Sequence, residues 1–148
     1  MYIFKKNKKQ ISFFSLACLL LLFANDLKSQ EKAELFVALG HSMFVTSVDV
    51  SPNGKYLLSG SKDNTLKLWD ISKRKEIRTL KGHTKAVNSV VFSPDGKYAL
   101  SGSSDGSLKL WEISKGQVIR TFKGHSKRVT SVVFSPDGKY ALSGSSDG

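Results

Sequence analysis

Residues 82–106, GHTKAVNSVVFSPDGKYALSGSSDG, return almost unchanged as residues 124–148, GHSKRVTSVVFSPDGKYALSGSSDG. Only Thr84/Ser126, Ala86/Arg128 and Asn88/Thr130 differ among the 25 positions. A looser copy begins at Gly40 and matches the second at 15 of 25 positions. Gly40-His41, Gly82-His83 and Gly124-His125 therefore recur every 42 residues, as do Ser51–Tyr56, Ser93–Tyr98 and Ser135–Tyr140. Leu68-Trp69-Asp70 returns once, as Leu110-Trp111-Glu112. A period of this length marks one supersecondary unit stacked on copies of itself. Agreement that extends to surface residues points to duplication of a unit, because convergence on a shared core would not preserve them.

Within the unit the local chemistry is that of short strands. Val87–Phe92 is apolar and β-branched, and Pro94-Asp95-Gly96 follows it. Proline presets φ at the first turn position and glycine accepts the left-handed one. Tyr98–Ser103 is the next strand, ended by Ser104-Asp105-Gly106. In Ser107–Trp111 the residues alternate, with Leu108 and Leu110 on one face and Lys109 and Trp111 on the other. Lys115-Gly116 turns the chain into a fourth strand, Gln117–Phe122. Four short antiparallel strands per unit, without a helical period, make a blade-sized sheet.

Gly-His before the first strand, a Pro-x-Gly hairpin after it, Ser-Gly-Ser-x-Asp closing the second and Leu-Trp-Asp ending the third occur here in order. In this the chain resembles the WD-repeat β-propeller family over residues 34–148, specifically an exported, bacterial-type member. The resemblance implies an all-β fold of propeller blades, each of four antiparallel strands, with repeats at about residues 40–81, 82–123 and 124–148. Glu34–Leu39 stands where Glu76–Lys81 and Gln117–Lys123 precede the later Gly-His pairs. It is expected to be an orphan outer strand beside two full blades and a half blade, an incomplete ring. Propellers have about four to eight blades, so the expectation is a truncated piece of a longer propeller. The missing blades would come from the same longer chain or from self-association.

The resemblance also implies a structural network in each blade. His41, Ser59, Asp63 and Trp69 form the first, and His83, Ser101, Asp105 and Trp111 the second. His125, Ser143 and Asp147 begin a third that has no tryptophan. The choice of Ser59 over Ser61 follows family spacing. One such set per blade suits a fastener better than a unique catalytic triad, since buried polar groups need partners and an indole N–H needs an acceptor. Neither a cofactor nor a metal is expected: Asp95-Gly96 and Asp105-Gly106 lack the alternating ligands of a calcium loop.

Composition and charge bound the partners. The 148 residues include three histidines and one cysteine, a sparse stock for catalysis, and carry a net charge of +11. Residues 1–30 contribute +4, from five lysines against Asp26. Lys5–Lys9 precede an apolar run from Ile11 to Ala24, the pattern of a signal peptide over residues 1–30. Cleavage falls after Ala24 or near Ser29–Gln30, and an uncleaved membrane anchor is the alternative. Cys18 is placed poorly for lipidation, with Ser15 where leucine is usual and apolar Leu19–Phe23 continuing beyond it. The expected destination is the periplasm or the exterior.

Propellers act through the loops of their rims, held rigid by the blades. The functional expectation is a non-catalytic scaffold for other proteins or peptides; the alternative is the propeller portion of a larger enzyme whose catalytic domain lies beyond residue 148. Met43, Phe44, Lys62, Lys85, Lys127 and Arg128 are the candidate binding residues, on the rim that bears the Gly-His loops. Lys73-Arg74-Lys75 with Lys55, Lys97 and Lys139 should project from the opposite rim as solubilising charge, or alternatively draw acidic proteins, anionic glycans or a membrane surface. Nucleic acid is not expected, because both tryptophans are committed to the blades and cannot serve as stacking platforms.

Overall fold

The computed structural model describes residues 40–147. The signal peptide expected at residues 1–30 and the outer strand expected at Glu34–Leu39 lie outside the described residues. Ten strands form three antiparallel sheets. The first blade contains β1 (Val45–Val50), β2 (Tyr56–Ser61), β3 (Thr65–Asp70) and β4 (Lys75–Lys81), paired in that order. The second repeats the pattern with β5 (Val87–Phe92), β6 (Tyr98–Ser103), β7 (Ser107–Glu112) and β8 (Gln117–Lys123). A two-stranded sheet follows, β9 (Val129–Phe134) with β10 (Ala141–Ser145). The strands of the described residues make an all-β fold, and their blades do not close a ring. Strands β7 and β8 each run one residue further than the alternation in the sequence indicates.

The turns between β1 and β2, β5 and β6, and β9 and β10 are built alike. The amides of Gly54, Gly96 and Gly138 donate to the carbonyls of Ser51, Ser93 and Ser135 at 2.8 Å, with φ near 70° at each glycine. In the β3–β4 hairpin, Arg74 holds φ at 52°, where its counterpart Gly116 holds 68°.

Two bulges recur in each full blade, and neither follows from strand alternation. Val45 pairs with Ser61 and Ser47 with Gly60, so Thr46 is the extra residue on β1. Asn88 is its counterpart on β5, and Thr130 on β9. Ile77 and Ile119 are extra on β4 and β8, which leaves both side chains exposed. A bulge re-aims a side chain out of the pleat. Here Thr46 Oγ donates across to the Val87 carbonyl of the second blade, and Asn88 Nδ2 donates to the Val129 carbonyl of the third sheet.

Both faces of the inner strands β5 to β7 are covered, whereas β8 is mostly exposed, and the alternation along β7 divides its side chains between two neighbours. Trp111, with Val87, Val90, Phe92, Ala99 and Ile113, packs toward Leu58, Leu66, Leu68 and Leu80 of the first blade. Leu100 and Leu108 turn the other way and meet Val129 and Val132. The inner strands are stitched as well: Val90 and Val132 amides donate to Ser47 and Ser89 hydroxyls at 3.1 Å, and the Phe92 amide donates to Asp49 at 2.7 Å. On the third sheet Tyr140 and Leu142 are 70% and 69% exposed, against 37% and 1% for the equivalent Tyr98 and Leu100.

Candidate functional site

Antiparallel hairpins send alternate loops to opposite ends of a blade. The loops before β1, β5 and β9 therefore share one rim with the β2–β3, β6–β7 and post-β10 turns. Each repeat brings a histidine from the first kind of loop against an aspartate from the second.

In the first blade His41 Nδ1 lies 2.8 Å from Asp63 Oδ2, and His41 Nε2 lies 2.7 Å from Ser59 Oγ. The Trp69 indole N–H donates to the same serine oxygen at 2.9 Å. An ionised carboxylate only accepts, so Nδ1 carries the ring proton and Nε2 accepts from the serine hydroxyl. The donor order thus runs from indole to serine to histidine to aspartate, and the aspartate accepts further bonds. The second blade repeats it: His83 to Asp105 at 2.8 Å, His83 to Ser101 at 2.7 Å, and the Trp111 indole to Ser101 at 2.8 Å. In the third sheet His125 stands 2.9 Å from Ser143 and 3.1 Å from Asp147, without an indole, and Ser143 is exposed.

The carboxylates are held by more than the histidines. Burial alone would raise the Asp63 carboxyl, but hydrogen bonds from the Thr65 hydroxyl, the His41 ring and the amides of Thr65 and Ser42 outweigh it and hold it at about 2. Asp105 is likewise held well below the carboxylate range: bonds from the Ser107 hydroxyl, the Thr84 amide and the His83 ring overcome its desolvation. Burial pushes the His83 ring below its usual 6.5 despite the nearby carboxylate, favouring the neutral form that the donor order requires. Thr65 and Ser107 are network members that the sequence reading missed. Their signal was present as a hydroxyl two residues after the aspartate in each complete repeat.

Ser61 and Ser103 have a different role from Ser59 and Ser101. Their hydroxyls donate to the Met43 and Lys85 carbonyls and accept from the Asp63 and Asp105 amides, shaping the turns. Ser59 and Ser101 are 0% exposed, and each oxygen is engaged by two rings. Neither hydroxyl reaches solvent. Among the described residues, no group of three or more His, Cys, Asp or Glu side chains is placed to hold a metal ion.

The candidate rim residues surround these networks. Backbone bonds from Lys62 to Phe44 (2.9 Å), Ser104 to Ala86 (2.8 Å) and Ser146 to Arg128 (3.2 Å) set one equivalent pair of positions beside each other in every repeat. Met43 and Phe44 are 53% and 75% exposed, and Lys62 Nζ stands 5.5 Å from the Phe44 ring centroid. Lys62, Lys85, Lys127 and Arg128 are all exposed, and Arg128 Nε donates to Ser146 at 3.0 Å. On the opposite rim several lysines have local partners: Lys73 with Asp70 (3.5 Å), Lys115 with Glu112 (3.0 Å) and Lys139 with Asp137 (3.9 Å).

The family described as "WD domain, G-beta repeat" matches residues 33–70, 74–112 and 116–148. Among curated proteins the chain is similar to the "Ribosome biogenesis protein BOP1 homolog" of Drosophila melanogaster and of Drosophila erecta, at 45% identity over 56 residues in each case. The counterpart in Drosophila willistoni is 43% identical over 56 residues. These alignments cover 38% of this chain and only 7% of each relative.

Proposed function

The chain belongs to the WD-repeat family, and from that premise we propose that it is a non-catalytic scaffold that holds other proteins or peptides against the rim formed by its Gly-His loops. One observation carries this reading. The groups with chemical potential, His41, Ser59 and Asp63 with His83, Ser101 and Asp105, are spent on one another inside the blades, whereas Met43, Phe44 and the neighbouring cations face outward. A rigid β framework presenting mixed apolar and charged loops is suited to recognition.

Export is part of the proposal, and it rests on the lysine-then-apolar leader alone, as does the bacterial-type assignment. The open edge of β10 is where further strands would pair, from a longer form of the same chain or from a second copy. A place in ribosome biogenesis, which the fly relatives' name suggests, has 56 aligned residues behind it, little more than one repeat. The propeller portion of a larger enzyme remains the competing reading.

The test is site-specific photo-crosslinking from the full chain in its native cell. A crosslinker at position 44 or 85 is expected to trap a protein partner, and one at position 73 on the opposite rim is not. Adducts confined to position 73, or a turnover that disappears when His83 is replaced in a folded chain, would overturn the scaffold assignment.

A further inference from the structure

The opposite rim neutralises several of its lysines locally; the Gly-His rim does not. Its carboxylates, Asp63, Asp105 and Asp147, each accept from a histidine ring and from the amide of Ser42, Thr84 or Ser126. Among the described residues no carboxylate forms an ion pair with Lys62, Lys85, Lys127 or Arg128. Four exposed cations thus stand on a surface whose anions are already committed.

The apolar part of this rim is confined to one end. The equivalent positions 44, 86 and 128 hold phenylalanine, alanine and arginine in chain order, each in the loop one residue before an inner strand, and those strands neighbour one another through Thr46 and Asn88. Of the three differences between the second and third copies, Thr84/Ser126 keeps a hydroxyl and Asn88/Thr130 lies on the bulge. Ala86/Arg128 alone changes the charge. The result is an aromatic knob, a low stretch and then a cationic end.

Resting on the scaffold reading, we infer that the partner is an acidic peptide segment that seats one apolar side chain against Met43 and Phe44 and extends carboxylates toward Lys127 and Arg128. An exposed aromatic supplies anchoring area, and a guanidinium matches a carboxylate in a two-pronged bond. A nucleic acid fits less well: of the six candidate rim residues Phe44 alone offers a stacking ring, and both indoles are buried.

The experiment is selection of a random peptide library on the full chain, followed by affinity measurements with the best peptide at low and high salt. Acidic sequences with one large apolar residue are expected. Phe44→Ala should weaken the peptide roughly tenfold and Arg128→Ala several-fold. The Arg128 effect should shrink as salt screens it, and Lys73→Ala on the opposite rim should change nothing. Selected peptides without acidic excess, equal losses from Lys73→Ala, or tighter binding of a single-stranded oligonucleotide would overturn the inference. The first result leaves the scaffold reading standing, whereas the second would also count against its choice of rim. Failure of the folded wild-type chain to select any peptide would count against both.

Discussion

At Ser101 one oxygen serves two rings, taking the indole proton of Trp111 and giving its own to His83. Each such position is sensitive to protonation in a direction that can be worked out. The His83 ring is held below 6.5, so the unfolded chain binds a proton that the folded chain resists. Its contribution to stability is full above pH 6.5 and is lost as pH falls through the lower folded value. Asp63, lowered from 3.8 to about 2, contributes fully above pH 3.8 and loses its contribution between there and about 2. Denaturation midpoints recorded against pH should therefore fall on acidification in two stages. A midpoint that rose below pH 6.5 would contradict this. Arg74 is the residue-scale exception to the economy of the repeat, since it holds a left-handed φ of 52° where the second copy uses glycine. Arg74→Gly should stabilise the chain by about 0.5–1 kcal/mol, read from chemical denaturation.

At the scale of elements, the blades approach each other closely at glycine. A methyl group added to Gly102 would stand 2.6 Å from Val129 Cγ1 and 2.9 Å from Val132 Cγ1, and Gly60 meets Val87 and Val90 in the same way. Gly102→Ala should cost about 1–3 kcal/mol through overpacking between the second and third sheets; an unchanged melting midpoint would show that the sheets are not packed as described. The strands, their hairpins and the repeat were legible in the sequence, because alternation and Pro-x-Gly chemistry act locally and recur. The bulges were not. Thr46 and Asn88 look like ordinary strand residues, and only pairing with a partner strand shows them to be extra. The twofold burial of β5 to β7 was only half legible: alternation separated Leu108 and Leu110 from Trp111, but nothing local said that both sides would be covered. The three networks were readable by resemblance, whereas Thr65 and Ser107 were overlooked because a hydroxyl after a turn is commonplace.

The described molecule as a whole has one blade whose inner strands are covered on both faces and a sheet of two strands with an exposed apolar side. Tyr140–Gly148 repeats Tyr98–Gly106 residue for residue, so β10 offers β7-like strands the same edge that β6 offers β7 itself. A synthetic hairpin of residues 107–123 added to the full chain should bind there, bringing its tryptophan to Ser143, and Ser143→Ala should weaken it. Calorimetry showing no binding would contradict that expectation. The claim beneath all of this is that histidine, serine, aspartate and tryptophan fasten each sheet. The most direct measurement is urea unfolding of the full chain carrying Ser101→Ala beside the wild type. The expected result is a loss of about 2–4 kcal/mol, because two buried ring nitrogens lose their partner at once. An unfolding curve that superimposes on the wild type would contradict the claim.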